Sequence, residues 1–290
     1  MSGLLTEMAQ SSLERLEAAR TRESEKDLWA RANEAPPAPP LKLSLEGFDL
    51  IAECKLQSPS AGVLSQHTTD VESRVAAYAE GGAVAVSVLT EPKRFGGDLA
   101  HLERAAKILA PFNVPTMRKD FLVDPYQVME GRVAGAGGVL VIARMLERSH
   151  IVELLDCAAM LKMFVLLEAF DGGDIKVANE ILAERKGRDE QILVGLNCRD
   201  LETLAVDFER FAQLAEQMPD RYPPVAESGV STIADVIRVV ELGYRVALVG
   251  TTLMNTPDPK KLVGDILAAG RERAMSLSTR KLQATNTPSV

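Results

Sequence analysis

From Asp49 to about residue 270, short apolar or β-branched runs alternate eight times with longer amphipathic segments. The runs near 49–54, 83–88, 114–119, 138–143, 163–168, 192–197, 223–227 and 246–249 have strand length. The segments near 70–80, 98–109, 125–134, 148–161, 172–185, 207–218, 231–242 and 258–271 have helix length. Near-continuous apolar strands separated by helices call for a parallel sheet covered on both faces. Eight such units close into a (β/α)8 TIM barrel of the α/β class. An open doubly wound sheet is the competing architecture, but no GxGxxG follows an early strand.

Residues 3–34 read as helix, with Leu4, Met8, Leu13 and Leu16 spaced for one face. Pro36, Pro37, Pro39 and Pro40 then end any helix and form a stiff connector. The expected organisation is an N-terminal helical extension over 1–48, a barrel over 49–272 and a polar C-terminal tail over 273–290. The net charge of −8 and the lack of a Lys/Arg-rich block argue against a nucleic-acid partner. No apolar stretch of signal-peptide type opens the chain, and no run approaches a membrane span. Cys54, Cys157 and Cys198 lack CxxC spacing and read as reduced, buried thiols. Together these features suggest a cytoplasmic protein with no membrane partner and, by default, a monomer.

Charged or amide residues recur where the strands end. They are Glu53 with Lys55, then Lys119, Glu168, Asn197 with Arg199, and Glu227 with Ser228. In a barrel these C-terminal ends form the active-site mouth. Alternation places Glu53 and Lys55 on one side of their strand with Cys54 opposite. That pair reads either as a structural ion pair or as part of a site. A partly desolvated Lys119 near Lys55 is expected to have a lowered pKa suited to general-acid work. Glu168, behind five apolar residues, is expected to have a raised one. Asn197 can orient a carboxylate or a substrate hydroxyl. Arg199 either contacts substrate or pairs within its loop. Gly229 after strand seven and Gly250-Thr251 after strand eight suit a phosphate, because glycine lets backbone N–H groups approach an anion.

With these residues in view, the chain resembles the indole-3-glycerol phosphate synthase family. The resemblance is carried by Ile51-Ala52-Glu53-Cys54-Lys55 with Ser58-Pro59-Ser60, and by Val88-Leu89-Thr90-Glu91 with Phe95-Gly96-Gly97. Arg118-Lys119-Asp120-Phe121 with Asp124-Pro125-Tyr126-Gln127 is its most specific part. Asn197 to Leu201, Ala226-Glu227-Ser228-Gly229 and Leu248-Val249-Gly250 complete it. The resemblance implies conversion of 1-(2-carboxyphenylamino)-1-deoxyribulose 5-phosphate to indole-3-glycerol phosphate, carbon dioxide and water. It implies no metal or organic cofactor and only a phosphorylated small-molecule partner.

On that resemblance Lys119 is the general acid, while Lys55 binds anionic groups, including phosphate, and can exchange proton-transfer roles with Lys119. Glu168 stabilises cationic intermediates and assists dehydration, while Glu53, Asn197 and Glu227 hold the constellation. Ser228, Gly229, Gly250 and Thr251 fall on the phosphate cradle. Ser58, Phe95, Phe121, Leu140, Arg199, Leu201 and Ser228 fall on substrate contacts. The chain departs from the family's pattern at Leu56, Gln57 and Ala61, where basic residues are common. It departs again at Phe170, where the family's Glu-Val-His reads Glu168-Ala169-Phe170. The competing functions are a phosphate-binding barrel for another sugar phosphate and a catalytically silent scaffold.

Overall fold

A computed structural model describes residues 3–55, 57–58, 62–63, 71–201 and 203–285, with side chains left out at 57–58, 62–63, 71 and 281–285. Eight parallel strands close into a barrel. They are β1 (Asp49–Cys54), β2 (Ala85–Leu89), β3 (Thr116–Lys119), β4 (Gly138–Ile142), β5 (Phe164–Ala169), β6 (Ile192–Asn197), β7 (Pro224–Glu227) and β8 (Val246–Val249). Each pairs with its sequence neighbours, and β1 closes on β8. A small antiparallel ladder joins Gln57–Ser58 to Gly62–Val63 just after β1.

Alternation along the strands divides the apolar residues into two clusters. Ile51, Ala85, Met117, Leu140, Leu166, Leu193, Val225 and Val246 belong to the cluster that fills the lumen. Leu50, Ala52, Val86, Val139, Val165, Leu167, Val194 and Ala247 belong to the cluster that meets the helices outside. Low in the lumen, the Phe164 ring occupies the space a side chain at 138 would need, since a Cβ there would lie 2.4 Å from the ring. Leu41 joins the same inner cluster. Its carbonyl accepts from the Gln191 side chain, immediately before β6, which fixes it at the N-terminal end of the barrel.

The N-terminal extension forms two helices rather than the single one expected over 3–34. They are α1 (Gly3–Arg20) and α2 (Glu25–Glu34). The break has a local cause, because the Ser24 hydroxyl accepts from the Asp27 N–H and starts a new helix. α1 lies against the mouth with Leu5 and Met8 fully buried. The Gln127 side chain donates to Ser12 at 2.8 Å, and the Tyr126 hydroxyl donates to the Glu23 carbonyl at 3.0 Å. Arg15 grips Asp120 with two bonds of 2.7 and 2.8 Å.

The remaining helices pack around the barrel as the sequence suggested, with two differences. The helix expected over 207–218 is a short α-helix, Arg210–Leu214, continued by a 3₁₀ turn. The final helix, α3 of those named here (Pro259–Thr285), does not stop near 271. It continues through most of the segment expected to be a loose tail, because no Gly or Pro interrupts residues 271–285.

The α1 clamp predicts an acid sensitivity. Burial pushes the Asp120 carboxyl up, but hydrogen bonds from Arg15 and the charges of Arg118 and Arg15 outweigh it and bring the group to about 2. A carboxylate depressed in the folded state contributes stability above its ordinary pKa and loses it as pH falls toward the folded value. The contribution is about 2 kcal/mol, lost between about pH 4 and pH 2. Arg15→Ala should therefore move the acid-induced loss of N-terminal docking to higher pH. Fluorescence of Trp29, the single tryptophan, reports this directly. Superimposable acid titrations of variant and parent would refute the clamp.

Candidate active site

The C-terminal mouth gathers strand-end residues into one open pocket, whose empty space of about 840 Å³ includes the solvent at its opening. Its lining includes Glu53, Lys55, Lys119, Glu168, Asn197, Arg199 and Ser228. Phe95, Phe121, Leu140 and Leu201 also line it, which brings these expected substrate contacts together. The side chain of Ser58 lies outside the described residues, as do Leu56, Ala61 and the side chain of Gln57.

A charged layer spans the pocket floor. The Lys55 ammonium sits 2.8 Å from Glu53 Oε1. Lys119 Nζ lies 3.2 Å from Glu53 Oε2 and 3.3 Å from Glu227 Oε2. Burial would raise the Glu53 carboxyl, but the two lysines overcome it and hold the group at about 2. Glu53 is therefore a permanent anion at physiological pH. The expectation of a lowered Lys119 pKa is overturned. Burial does act downward, but the charges of Glu53, Glu227 and Glu168 outweigh it and raise the ammonium well above the usual lysine range. Three facing carboxylates dominate the one neighbouring lysine weighed in the sequence.

The carboxyl with a strongly raised pKa is Glu227. Its burial is complete, and the Glu168 charge adds to the effect against the opposing pull of Lys119. Two carboxyls facing each other cannot both ionise cheaply, so this pair is suited to holding one proton. Glu227 Oε1 is buried with no hydrogen-bond partner, while Oε2 receives Lys119.

Asn197 orients the other member of the pair. Its Nδ2 donates to Glu168 Oε1 at 2.8 Å. Its Oδ1 accepts from Ser228 Oγ at 2.8 Å and from the Arg199 N–H at 3.0 Å, which fixes the amide's direction. Arg199 lines the pocket and also donates to the Leu204 carbonyl at 2.8 Å. The loop bond holds the guanidinium at the pocket wall, a position compatible with a substrate contact. Phe95 is held in place by Glu91, whose carboxylate caps the short helix Pro92–Phe95 through the N–H groups of Lys93, Arg94 and Phe95. Its ring stands 6.1 Å from that of Phe121.

Of the residues expected at phosphate, Lys55 and Ser228 line the pocket, whereas Gly229, Gly250 and Thr251 do not. Ser228 and Gly229 adopt consecutive left-handed conformations, φ 64° and 79°, just beyond β7. Gly250 has a second reason to be glycine. A Cβ there would stand 2.3 Å from Glu53 Oε1 and 3.1 Å from Lys55 Nζ.

Several residues were missed. Leu4 and Leu5 of α1 line the pocket, as do Leu89, Ile142 and Phe170. Ile142 and Phe170 stand two residues beyond Leu140 and Glu168, so alternation already put them on the inner face. Gly195 was also missed, though it makes room for Glu227: a Cβ there would stand 2.0 Å from Glu227 Oε1. The cysteines behave as expected. Cys54 and Cys198 are buried away from the pocket lining, and burial pushes both thiols up to about 12.

Comparison with known proteins agrees with this site. The sequence profile of the indole-3-glycerol phosphate synthase family matches residues 5–266. An indole-3-glycerol phosphate synthase of Kineococcus radiotolerans is 41% identical over 229 residues, covering 79% of this chain and 79% of that protein. The enzyme of the same name from Rhodococcus jostii is 38% identical over 243 residues, covering 83% and 86%. That from Mycobacterium tuberculosis is 38% identical over 246 residues, covering 84% and 86%. Among solved structures, 3-hexulose-6-phosphate synthase of Salmonella typhimurium superposes with a TM-score of 0.58 at 12% identity, covering 78% of this chain and 100% of that one. Orotidine 5'-phosphate decarboxylase of Pyrococcus horikoshii gives 0.54 at 14% identity, covering 77% and 99%. At such identities those two speak for the barrel alone. The chain belongs to the indole-3-glycerol phosphate synthase family.

Proposed function

We propose that this chain is a carboxy-lyase converting 1-(2-carboxyphenylamino)-1-deoxyribulose 5-phosphate to indole-3-glycerol phosphate. The observation that carries the reading is the convergence of Lys55, Lys119, Glu53 and Glu168 in one apolar-walled pocket, with Glu227 buried behind Lys119.

The chemistry follows from the bonds to be made. The ring carbon bearing the carboxylate attacks the ribulose carbonyl carbon, closing a five-membered ring. The carbonyl oxygen takes up charge as an alkoxide and receives a proton from Lys119. An ammonium held firmly by carboxylates still protonates an alkoxide, which is a far stronger base than an amine. Its fixed charge also stabilises that oxygen before the transfer. The benzene ring meanwhile becomes a nitrogen-stabilised cation, for which the carboxylates of Glu168 and Glu53 supply a preorganised anionic wall. Loss of carbon dioxide returns its bonding electrons to the ring and restores aromaticity.

Dehydration needs a proton for the departing hydroxyl and a base for the adjacent CH₂ proton. The Glu168–Glu227 pair, sharing one proton, suits both tasks in sequence. The net balance is one proton taken up with release of carbon dioxide and water. Lys55, anchored by Glu53, meets the anionic groups of the substrate. The left-handed Ser228-Gly229 turn offers backbone N–H groups to the phosphate.

An assay of the purified protein with this substrate, following indole fluorescence, tests the proposal. Product formation in the presence of a metal chelator is the expected result. Binding without turnover would instead favour a barrel for another sugar phosphate.

A further inference from the structure

Phe170 belongs to none of the roles above, yet it lines the pocket and is almost wholly buried. It stands two residues beyond Glu168 and joins Phe164 and Leu166 in the inner apolar cluster. Its backbone is tied at both ends. The Phe170 N–H donates to Asp174 Oδ2 at 2.8 Å, and its carbonyl accepts from Arg210 at 3.3 Å. Its ring is backed by the Arg144 guanidinium, 4.8 Å from the ring centroid. Arg144 does not itself line the pocket. It is held by Asp171 and by Asp174, whose Oδ2 accepts from Arg144 Nε at 2.7 Å. Asp174 thus grips the Phe170 backbone and the cation behind the Phe170 ring with one oxygen.

The backbone of Phe170 is thus fixed by two hydrogen bonds and its ring is backed by one cation. The closed strand order puts β4 and β5 across the barrel from β8 and β1. A ligand with its phosphate near Ser228, just beyond β7, therefore extends its other end toward β3, β4 and β5. There the wall is Phe121, Leu140, Ile142 and Phe170. It is apolar and rich in flat surfaces, which fits a planar aromatic ring better than a second sugar or phosphate.

We propose that Phe170 is a specificity-determining residue that limits the size of the arylamine ring accepted beside Glu168, with Arg144 as its positioning residue. The proposal rests on the arylamine phosphate reading of the site. Phe170→Ala widens the ring pocket without touching the lysines or carboxylates. Phe170→Leu restores most of the bulk, and Arg144→Ala removes the cation behind the ring while keeping the phenylalanine itself.

The test measures kcat and KM for the parent substrate and for an analogue carrying one methyl group on the benzene ring. Because one methylene in an apolar pocket changes selectivity by about 10–200-fold, Phe170→Ala should shift the kcat/KM ratio toward the methylated substrate by about tenfold. KM for the parent should rise while kcat stays within about threefold. Phe170→Leu should lie close to wild type, and Arg144→Ala should shift the ratio in the same direction by a smaller factor. An unchanged ratio in Phe170→Ala overturns the proposal. So does an equal loss of kcat for both substrates with a lowered melting temperature, which marks a structural residue. A wild-type protein inactive on the parent substrate fails earlier, and overturns the functional reading together with the proposal built on it.

Discussion

Lys119→Met is expected to remove turnover by at least about a thousandfold while leaving the barrel folded. The loss is large because, among the described residues, the only other ammonium in the pocket lining is that of Lys55. Lys55 is already committed to Glu53 Oε1 at 2.8 Å, on the far side of that carboxylate. Folding survives because the carboxylates left behind can be neutralised. Glu53 keeps Lys55, and burial with the Glu168 charge tightens the hold of the Glu227 carboxyl on a proton. Without Lys119 that hold only strengthens, so the variant should become more stable relative to wild type as pH is lowered and its carboxyls protonate. Turnover with the same substrate, together with thermal melts at two pH values, checks both halves. Near-normal kcat in the variant would remove Lys119 from the acid role. A collapsed melt at every pH would mean that it is a structural residue.

The second large effect is expected from Gly195→Ala, a change of one methyl group on a fully buried strand. The new Cβ would lie 2.0 Å from Glu227 Oε1 and 3.1 Å from Leu166 Cδ1. Glu227 cannot retreat freely, because Lys119 and Glu168 surround it. The displaced carboxyl carries the Lys119 contact with it. A misplacement of about 1 Å at such a site lowers rate by about a hundredfold. The overpacking itself costs about 1–3 kcal/mol. The expected signature is a fall in kcat larger than any rise in KM, together with a lowered melting temperature. Gly250→Ala should behave alike through Glu53, whose Oε1 would stand 2.3 Å from the added Cβ. If either alanine variant retains wild-type kcat, its carboxylate does not need the position described.

The glycines show where sequence reading reaches its limit. The barrel was legible because eight apolar runs repeat with a buried strand's continuity, and the mouth was legible because charges at strand ends have few other uses. Lys119 and Glu168 could be named from such local patterns. The value of Gly195 could not, because it depends on a side chain 32 positions later, on the neighbouring strand. The sign of the Lys119 pKa shift failed for the same reason. It is set by Glu53, Glu227 and Glu168, which come from β1, β7 and β5, and only closure of the barrel brings them to one lysine. Of the face expected from Leu4, Met8, Leu13 and Leu16, Met8 and Leu16 are buried while Leu13 is exposed, and nothing local says that Leu4 and its neighbour Leu5 cover the mouth.

The floor of the lumen has a consequence for traffic. With Phe164 filling the space beside Gly138 and Leu41 packed at the N-terminal end, the reaction chamber is a cul-de-sac. Among the described residues the chamber opens at the C-terminal mouth, so carbon dioxide, water and indole-3-glycerol phosphate leave where the substrate entered, beside Leu4 and Leu5 of the N-terminal helix. Product and substrate therefore compete for one chamber, and Leu4 and Leu5 of the N-terminal helix stand beside the path of both.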